Sequence, residues 1–573
     1  MLTQSLLNAQ HERLPSSSLL SGGTNPLTEG EWNVTEERSD QGHGADRRYR
    51  DAGGGGGLSA CGSETTTTKD GKPIVTILVA KNSNQAKMAD MTWAKELEAD
   101  CDCSIEWKEV SDDQWSQQKN ASLAAGEIAD LNIRAFNPDD AARNPTAFEK
   151  LGDDLDKLPN VQKFFEEQPT AKKFVEVDGK VTVLPSSRTK GFLASGQHFL
   201  INKTWLDKLG LEVPTTWDEL RKVMEAFKTQ DPNGNGQADE IAFNPRELVT
   251  SKIGDWWSPF LMMNATGIAT HFNSGPSQQG IYVKDGKVGN WMQTDEFRQV
   301  IEFYYEMVQN GWAPSDWVTV KDDKYNARNQ SDGKTAQVGM VFGWDESAFG
   351  SYGSELASQY VSIPIPSADG VSAEDTVWDG SSDANRYEDY HMAMSANAKN
   401  KDACLKVIDL LYSEKYSIQQ LYGSLTDGYV EQTGDHSYKV TDKFHELQDQ
   451  ASQIPALEDR LAGWISDDVE VEGDRGMDHV ASADEPYKEQ YSNYDHTKDL
   501  MPIYVRVSET DQNTIANNNT ALFNYAIPVV SKWLAQGGAD DDSQWNEFQE
   551  NLKKYNIDQN TEIWQKAYDK YVK

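Results

Sequence analysis

A short apolar run limits the fold more than any other feature of this chain. The run Pro73-Ile-Val-Thr-Ile-Leu-Val-Ala80 is rich in β-branched residues and does not alternate with polar ones. A strand of this kind is buried on both faces, which indicates a parallel sheet covered by helices. Similar runs alternate with helical patterns and predict an α/β fold with strands at 104–110, 128–133, 180–185, 197–203, 336–342, 360–364 and 390–394.

Two helix starts can be predicted from capping signals. Thr216 precedes an amphipathic run and stands three residues before Glu219, which is the spacing of a capping box. Thr294 starts a second amphipathic run, and Gly311 marks its end. Aromatic stripes predict that the last hundred residues are also helical.

Length and charge narrow the class of function. The chain has 573 residues, more than one core usually organises, so two or more lobes are expected. Its net charge of −38 excludes nucleic acid as a partner, because phosphate binding needs clustered Lys and Arg. A neutral ligand fits this charge better than a polyanion.

The cysteines do not indicate a zinc site. Cys101 and Cys103 are separated by one residue, and a bridge between them would close a strained loop. Free or differently paired thiols are therefore expected. Cys404 falls on the apolar side of a helical pattern, which predicts a buried thiol.

The segment Leu58-Ser59-Ala60-Cys61 resembles a bacterial lipobox, in which the cysteine becomes the lipid-modified N-terminus. The stretch before it lacks the apolar run of a signal peptide. One explanation is that residues 1 to about 52 are mistranslated; the alternative is a flexible Gly-rich leader with a chance cysteine. We expect lipid attachment at Cys61 and a polar tether after it, with no membrane-spanning segment.

The most specific pattern is the run from Leu200 to Leu211, which contains Asn202-Lys203, followed by Val213-Pro-Thr-Thr-Trp-Asp-Glu-Leu220. It resembles the extracellular solute-binding proteins of ABC importers, in particular the maltose-binding-like branch. Further matches at 129–133, 338–342, 362–370 and 394–403 occur in the same order along the chain as in that family. The resemblance implies a two-lobe periplasmic-binding-protein-like fold (type II) and a sugar held between the lobes. It also implies delivery to permease subunits, without catalysis.

The predicted division of the chain follows from this resemblance. Residues 1–72 are leader, lipobox and tether, without regular structure. The N-terminal lobe is expected at 73–187 and 396–500, and the C-terminal lobe at 188–395 and 501–573. The protein is expected to be a monomer on the extracellular face of the cell membrane.

One loop has a chemistry of its own. From Asp231 to Glu240, side-chain and carbonyl oxygens stand at alternate positions around Gly234 and Gly236, as a hard cation such as Ca²⁺ requires. Ala242 stands where an EF-hand has its bidentate Glu, so the loop resembles instead the calcium loop of large solute-binding proteins, including alginate-binding ones. The alternative is a turn that merely ends the preceding helix. The candidate ligands of a structural calcium are Asp231, Asn233, Asn235, Gln237, Asp239 and Glu240.

Sugar sites combine stacked aromatic rings with carboxylates and amides. The resemblance places Trp344 as a stacking residue, and it places Asn82, Ser83, Arg134, Phe136 and Asn137 at strand ends that open into the cleft. Composition alone adds Trp256, Trp257, Trp378 and Asp379, and Asp345 could accept hydrogen bonds from hydroxyls. For a single Trp, a place in the core is about as expected as a place in the cleft.

Two other functions remain as alternatives. A surface glycoside hydrolase or lyase needs a carboxylate pair, which any acidic chain contains. However, the sequence shows no nucleophile elbow, Cys/His pairing or zinc signature. A surface adhesin or scaffold is usually modular or repetitive, and no internal repeat is present.

Overall fold

The computed structural model describes residues 66–189, 195–272, 275–378, 382–450 and 452–572. Its strands are β1 (Ile74–Lys81), β2 (Ser104–Ser111), β3 (Leu131–Ile133), β4 (Glu176–Val177), β5 (Lys180–Val181), β6 (Val183–Ser187), β7 (His198–Asn202), β8 (Ile241–Phe243), β9 (Ile281–Lys284), β10 (Lys287–Asn290), β11 (Val338–Gly343), β12 (Tyr360–Ile363), β13 (Tyr387–Met394), β14 (Val430–Gly434), β15 (Ser437–Val440) and β16 (Glu470–Glu472).

Its α-helices are α1 (Thr92–Cys101), α2 (Asp112–Ala125), α3 (Pro138–Arg143), α4 (Pro159–Glu167), α5 (Pro169–Val175), α6 (Lys203–Leu209), α7 (Trp217–Thr229), α8 (Asp295–Gln309), α9 (Asp322–Gln330), α10 (Ser382–Arg386), α11 (Lys401–Leu411), α12 (Glu414–Tyr422), α13 (Asp442–Gln450), α14 (Arg475–Asp484), α15 (Lys488–Ser492), α16 (Glu509–Gln536), α17 (Asp542–Lys554) and α18 (Ile557–Val572). Among the described helices, none has the length and apolar character needed to cross a bilayer. Thr216 and Thr294 cap α7 and α8 as predicted, each accepting a hydrogen bond from a main-chain N–H three residues on.

Two sheets organise two α/β lobes. The first has the strand order β2-β1-β3-β13-β6. Strand β1 is parallel to its neighbours β2 and β3, whereas β13 is antiparallel to its neighbours β3 and β6. The second has the order β12-β7-β11-β8. The chain passes from the first sheet to the second after β6 and returns between β12 and β13. These crossings give the two-lobe architecture that the sequence predicts, and the α/β fold class is confirmed.

Each lobe has its own hydrophobic core. The first joins β1, β3 and β13 to helices α1, α4 and α11, and the second joins β7 and β11 to helices α7, α8 and α16. Two observations shift the predicted lobe boundaries, which otherwise remain a proposal. Strand β13 lies within 188–395 but pairs in the first sheet, and Tyr487 lies within 396–500 but packs in the second core.

The structure corrects the prediction for the paired cysteines. Cys101 and Cys103 form a disulfide, with their Cα atoms 5.2 Å apart. Asp102 between them adopts a left-handed conformation (φ 53°, ψ 40°) that ends α1 and turns the chain back on itself. The bridge therefore fits a loop that we expected to be too short. Cys404 is fully buried as predicted, and burial raises the pKa of its thiol to about 12.

The disulfide is expected to contribute modestly to stability. Closing a loop of three residues removes chain entropy worth about 1.5 kcal/mol from the unfolded state. A Cys101→Ser, Cys103→Ser variant should therefore unfold at a lower denaturant concentration, with an unchanged m-value. Wild-type protein in reductant should unfold at the same concentration as the variant. Equal midpoints for the variant and the oxidised wild type would contradict the expectation.

Candidate ligand cleft and metal loop

The chain crossings show where the two lobes face each other. Because β6 leaves the first sheet at Ser187 and β7 enters the second at His198, these two strand ends lie at the connection. In the first sheet, β1 and β3 end at this same edge, where β13 begins. In the second sheet, β11 ends here, since Gly343 pairs with His198. Residues that directly follow β1, β3, β6 and β11 therefore border one cleft.

Three tryptophans form the cleft face of the second lobe. Trp344 directly follows β11, and Trp256 and Trp257 come from the loop after β8. The ring centroids of Trp256 and Trp344 are 6.2 Å apart, and those of Trp256 and Trp257 are 6.1 Å apart. All three side chains are half-buried. The structure thus brings together three residues that the sequence proposed separately, and we call them the aromatic platform.

The platform is held from beneath and from one side. The Trp257 indole N–H donates to the Gly196 carbonyl at 3.0 Å, and Arg246 lies 5.3 Å from the Trp257 ring. Trp257 has a left-handed backbone (φ 55°), which is uncommon for a bulky residue. Strain of this kind concentrates at functional sites.

Gly196 has a steric role under Trp344. A Cβ atom at this position would lie 2.2 Å from the indole ring. Gly196→Ala is therefore expected to displace Trp344 and to weaken ligand binding about tenfold, because overpacking costs about 1–3 kcal/mol. Gly275→Ala is the matched control, since a Cβ there meets no described residue within 4 Å. Titration calorimetry checks both variants, and equal affinities would contradict the role of Gly196.

Charged side chains form the cleft face of the first lobe. Arg134 follows β3, and its Nη2 lies 2.5 Å from the Tyr390 hydroxyl and 3.7 Å from Glu388 Oε2. Arg188 follows β6 and lies 2.5 Å from Glu388 Oε1. Burial would raise the pKa of Glu388, but the two guanidinium groups hold it well below its usual range. The Glu388 carboxylate is therefore ionised and paired on both oxygens.

The network of charged side chains continues beyond Arg188 and Glu388. Arg460 is buried and lies 3.1 Å from Asp459 and 2.9 Å from Asp112, while Asp459 lies 3.6 Å from Arg188. His391 Nε2 lies 2.7 Å from Glu388 Oε2. The network contains equal numbers of guanidinium and carboxylate groups: Arg134, Arg188 and Arg460 against Glu388, Asp459 and Asp112. A cleft face with balanced charge suits a neutral polar ligand better than an ion.

Two predicted ligand residues belong to cores instead. Phe136 is 1% exposed and packs against Trp115 and Phe148, with ring centroids 5.4 and 4.9 Å apart. Trp378 is 1% exposed and stacks on Tyr487 at 4.6 Å. The proposals that these rings face the cleft are corrected, because both side chains are enclosed by their own lobe.

The polar candidates divide in the same way. Asn137 caps α3 by accepting from the Asp140 N–H at 2.8 Å, so its role is structural. Asp345 is fully buried and accepts hydrogen bonds from the Tyr352 hydroxyl and the Ser347 N–H, both at 2.8 Å. Its carboxylate shapes the loop after Trp344 rather than facing a sugar.

The remaining candidates have different outcomes. Asn82 directly follows β1 and is half-buried at the cleft edge, and Ser83 beside it is exposed. Asp379 and Cys61 lie outside the described residues. The first-lobe residues that sequence reasoning missed are Arg188, Glu388 and Tyr390. The rule that selected Arg134 and Asn82, a polar residue after a strand, did not reach Arg188, because the predicted strand ends at 185 whereas β6 continues to Ser187.

The candidate metal loop connects α7 to β8. Asp231 accepts from the N–H groups of Gly234 and Gly236 at 3.0 and 3.1 Å, and Asp231 and both glycines have left-handed backbones. Asn233 Oδ1 accepts from the Asn235 N–H at 2.9 Å, and Asn235 Oδ1 accepts from the Gln237 N–H at 2.7 Å. The amide groups of Asn233 and Asn235 also donate to Asp239. The loop is therefore a tight turn with closely spaced oxygens.

Glu240 shows that this turn is incomplete by itself. The residue is 1% exposed, and both of its carboxylate oxygens are buried without a hydrogen-bond partner among the described residues. Burial raises the pKa of Glu240, and the nearby carboxylates of Asp239 and Asp231 raise it further. In the described part of the chain, no three Asp, Glu, His or Cys side chains form a metal-binding cluster. A cation here would therefore need amide and main-chain oxygens as well, which suits Ca²⁺ among the common metals.

The chain is similar to proteins that bind solutes for transport. A solved HMO-binding solute-binding protein associated with an ABC transporter, from Bifidobacterium longum infantis, is 49% identical, with a TM-score of 0.83. The alignment covers 88% of this chain and all of that one. A second extracellular solute-binding protein from Bifidobacterium longum subsp. infantis is 47% identical (TM-score 0.84), covering 89% of this chain and all of the other.

A curated relative extends the comparison to another genus. The fructooligosaccharide ABC transporter substrate-binding protein FusA of Streptococcus pneumoniae is 25% identical over 505 residues, which are 83% of this chain and 86% of FusA. Residues 83–418 match the bacterial extracellular solute-binding proteins as a family. The resemblance predicted from 200–220 is thus confirmed, and the chain belongs to the family of bacterial extracellular solute-binding proteins.

Proposed function

We propose that this protein captures a neutral oligosaccharide between its lobes and delivers it to the permease subunits of an ABC importer. The observation that carries the proposal is the half-buried aromatic platform of Trp256, Trp257 and Trp344, which borders the same cleft as a charge-balanced polar face. Sugar rings have apolar faces edged with hydroxyl groups, so they can stack on the aromatic platform and form hydrogen bonds with the polar face. The names of the relatives, which are HMO-binding and fructooligosaccharide proteins, support this ligand class.

The proposed mechanism is closure of the two lobes around the ligand. The lobes rotate about the crossing segments, and the closed form docks on the permease. Hydroxyl groups that meet the Arg134–Glu388 network must all find partners in the closed, dry cleft. An analogue that leaves one buried group unpaired is therefore rejected, which gives selectivity without catalysis.

We propose that Ca²⁺ stabilises the 231–240 loop without contacting the ligand. The two buried, unpartnered oxygens of Glu240 and the main-chain turn around Asp231 support this assignment. The residues that would hold the ion are Asp231, Asn233, Asn235, Gln237, Asp239 and Glu240. The ion would supply positive charge to these oxygens.

We further propose that the protein is a monomer anchored by lipid at Cys61 on the outer face of the membrane. The support is the lipobox-like segment Leu58–Cys61 and the membership of an extracellular family. A lipid label should be incorporated in the producing bacterium and lost in Cys61→Ala. Labelling that persists in the variant would contradict anchoring at this residue.

The experiment that tests the function is titration calorimetry with a neutral HMO fraction and with fructooligosaccharides. We expect saturable binding, and we expect chromatography of the recovered sugar to show no product. Binding without turnover supports the transport function, whereas cleavage of the sugar would establish the alternative, a surface glycoside hydrolase or lyase. Absence of binding to every sugar in the panel would overturn the proposed ligand class.

A further inference from the structure

His198 is a buried histidine directly beneath the aromatic platform, at the first residue of β7. Its Nδ1 contacts the main-chain carbonyl oxygen of Trp344, and its Nε2 lies 2.9 Å from Asp484 Oδ1. A carbonyl oxygen and an ionised carboxylate both only accept hydrogen bonds. A neutral imidazole has one N–H and cannot donate to both of them. With Asp484 ionised, the two contacts together call for an imidazolium ion.

The surroundings of Asp484 favour the same charge state. The Tyr491 hydroxyl donates to Asp484 Oδ1 at 2.8 Å, whereas Oδ2 is buried and has no hydrogen-bond partner in the described ranges. Among the described residues, the titratable groups packed against His198 are this carboxylate, Tyr491 behind it and the Tyr487 ring, whose centroid lies 5.7 Å from that of His198. A buried carboxylate with one bare oxygen is costly unless a positive charge lies next to it. The imidazolium of His198 supplies that charge.

We propose that His198 is a positioning residue for the sugar platform: its imidazolium, held by Asp484, fixes the main chain of Trp344. This inference rests on the proposed function, and it adds a residue that does not itself touch the ligand. Asp484 is the last residue of α14, and the Ser195 N–H donates to the Tyr491 hydroxyl at 3.4 Å. One network thus ties the crossing segment, α14 and Trp344 together. The orientation of the Trp344 ring is set relative to the segments about which the lobes rotate.

The charge state can be tested without any ligand. Nitrogen-15 spectra of the imidazole groups in ligand-free protein should show both ring nitrogens of His198 protonated at neutral pH. The signals are assigned by their loss in His198→Gln. A spectrum in which one ring nitrogen of His198 carries no proton would overturn the proposal. Because no sugar is present, this result is independent of the ligand class.

The positioning role is tested by affinity for the neutral HMO fraction. His198→Gln carries its N–H donors on one nitrogen and cannot reach both acceptors, so it should bind about tenfold more weakly while remaining folded. Asp484→Asn should reduce the affinity by a similar factor. The double variant should reduce it no more than either single variant, because the two residues act as a unit. His436→Gln is the matched control, since this histidine contacts Glu414 far from the cleft.

Wild-type affinity in either folded single variant would overturn the positioning role. If His198→Gln fails to fold, the affinity of Asp484→Asn still decides the question. If the wild-type protein binds no sugar in the panel, the proposed function fails instead. In that case the spectrum alone reports on the imidazolium.

Discussion

Replacing Trp344 by alanine is expected to weaken oligosaccharide binding about 30- to 150-fold, with little change in melting temperature. The ring is half-buried at the mouth of the second lobe and packs over Gly196. In the closed cleft, a sugar stacked on this ring loses its water on both faces. Truncating a central tryptophan of such a contact typically costs about 2–3 kcal/mol.

The control for this prediction is a tryptophan of similar exposure elsewhere. Trp107 is half-buried in the middle of β2 and packs edge-on against Trp93 at 6.4 Å, away from the strand ends that border the cleft. Trp107→Ala should leave the affinity unchanged and lower the melting temperature. The affinity of Trp344→Phe should lie between those of Trp344→Ala and the wild type, because a smaller ring still stacks. Equal affinities of Trp344→Ala and wild type in calorimetry would remove Trp344 from the site.

Much of the fold follows from local sequence signals. The apolar run at 73–80 predicts β1, and the capping signals at Thr216 and Thr294 place the starts of α7 and α8. Where prediction and structure differ, a long-range contact decides. The strand predicted over 128–133 is shortened to Leu131–Ile133. Asp130 uses its carboxylate to accept from the Thr76 N–H and hydroxyl, at 2.9 and 2.7 Å.

Composition alone proposes Trp256 and Trp257, and the other site residues are predictable only where a side chain directly follows a strand. Trp344 and Arg134 satisfy this condition, because the pleat fixes the direction of the next residue. Phe136 does not, since Arg134 adopts a left-handed backbone (φ 59°) that turns the chain toward the core. The Cys101–Cys103 bridge depends in the same way on the left-handed Asp102. Backbone conformations of this kind have no clear signal in non-glycine residues.

Contacts between residues that are distant in sequence also limit how much of the site can be predicted. Glu388 lies 254 positions after Arg134, and nothing local to either residue predicts their contact. The charged start of β13 was also missed, because the predicted strand begins at 390 rather than at Tyr387. Pairing of β13 with β3 and β6 is what brings these charges to the cleft.

Removing calcium is expected to lower the melting temperature of this protein by about 5–10 °C. A ligand present at 100 times its Kd stabilises the folded state by about 2.7 kcal/mol, and each kcal/mol shifts the melting temperature of a lobe of this size by about 2–4 °C. The physical reason lies in Glu240, whose buried carboxylate has no hydrogen-bond partner on either oxygen within the part of the chain that the structure describes. Scanning calorimetry with calcium and with a chelator measures the shift.

The variant Glu240→Gln separates a calcium site from an ordinary turn by the sign of its effect. With calcium present, it should be less stable than the wild type, because a ligand oxygen and its charge are lost. With the chelator, it should be at least as stable as the wild type, because an unpaired buried charge beside Asp239 and Asp231 has been removed. Asp332→Asn is the matched control, since Asp332 accepts from two N–H groups and the Thr335 hydroxyl of an exposed turn. A Glu240→Gln variant that is equally destabilised with calcium and with chelator would leave the loop as a turn, with no role for the ion.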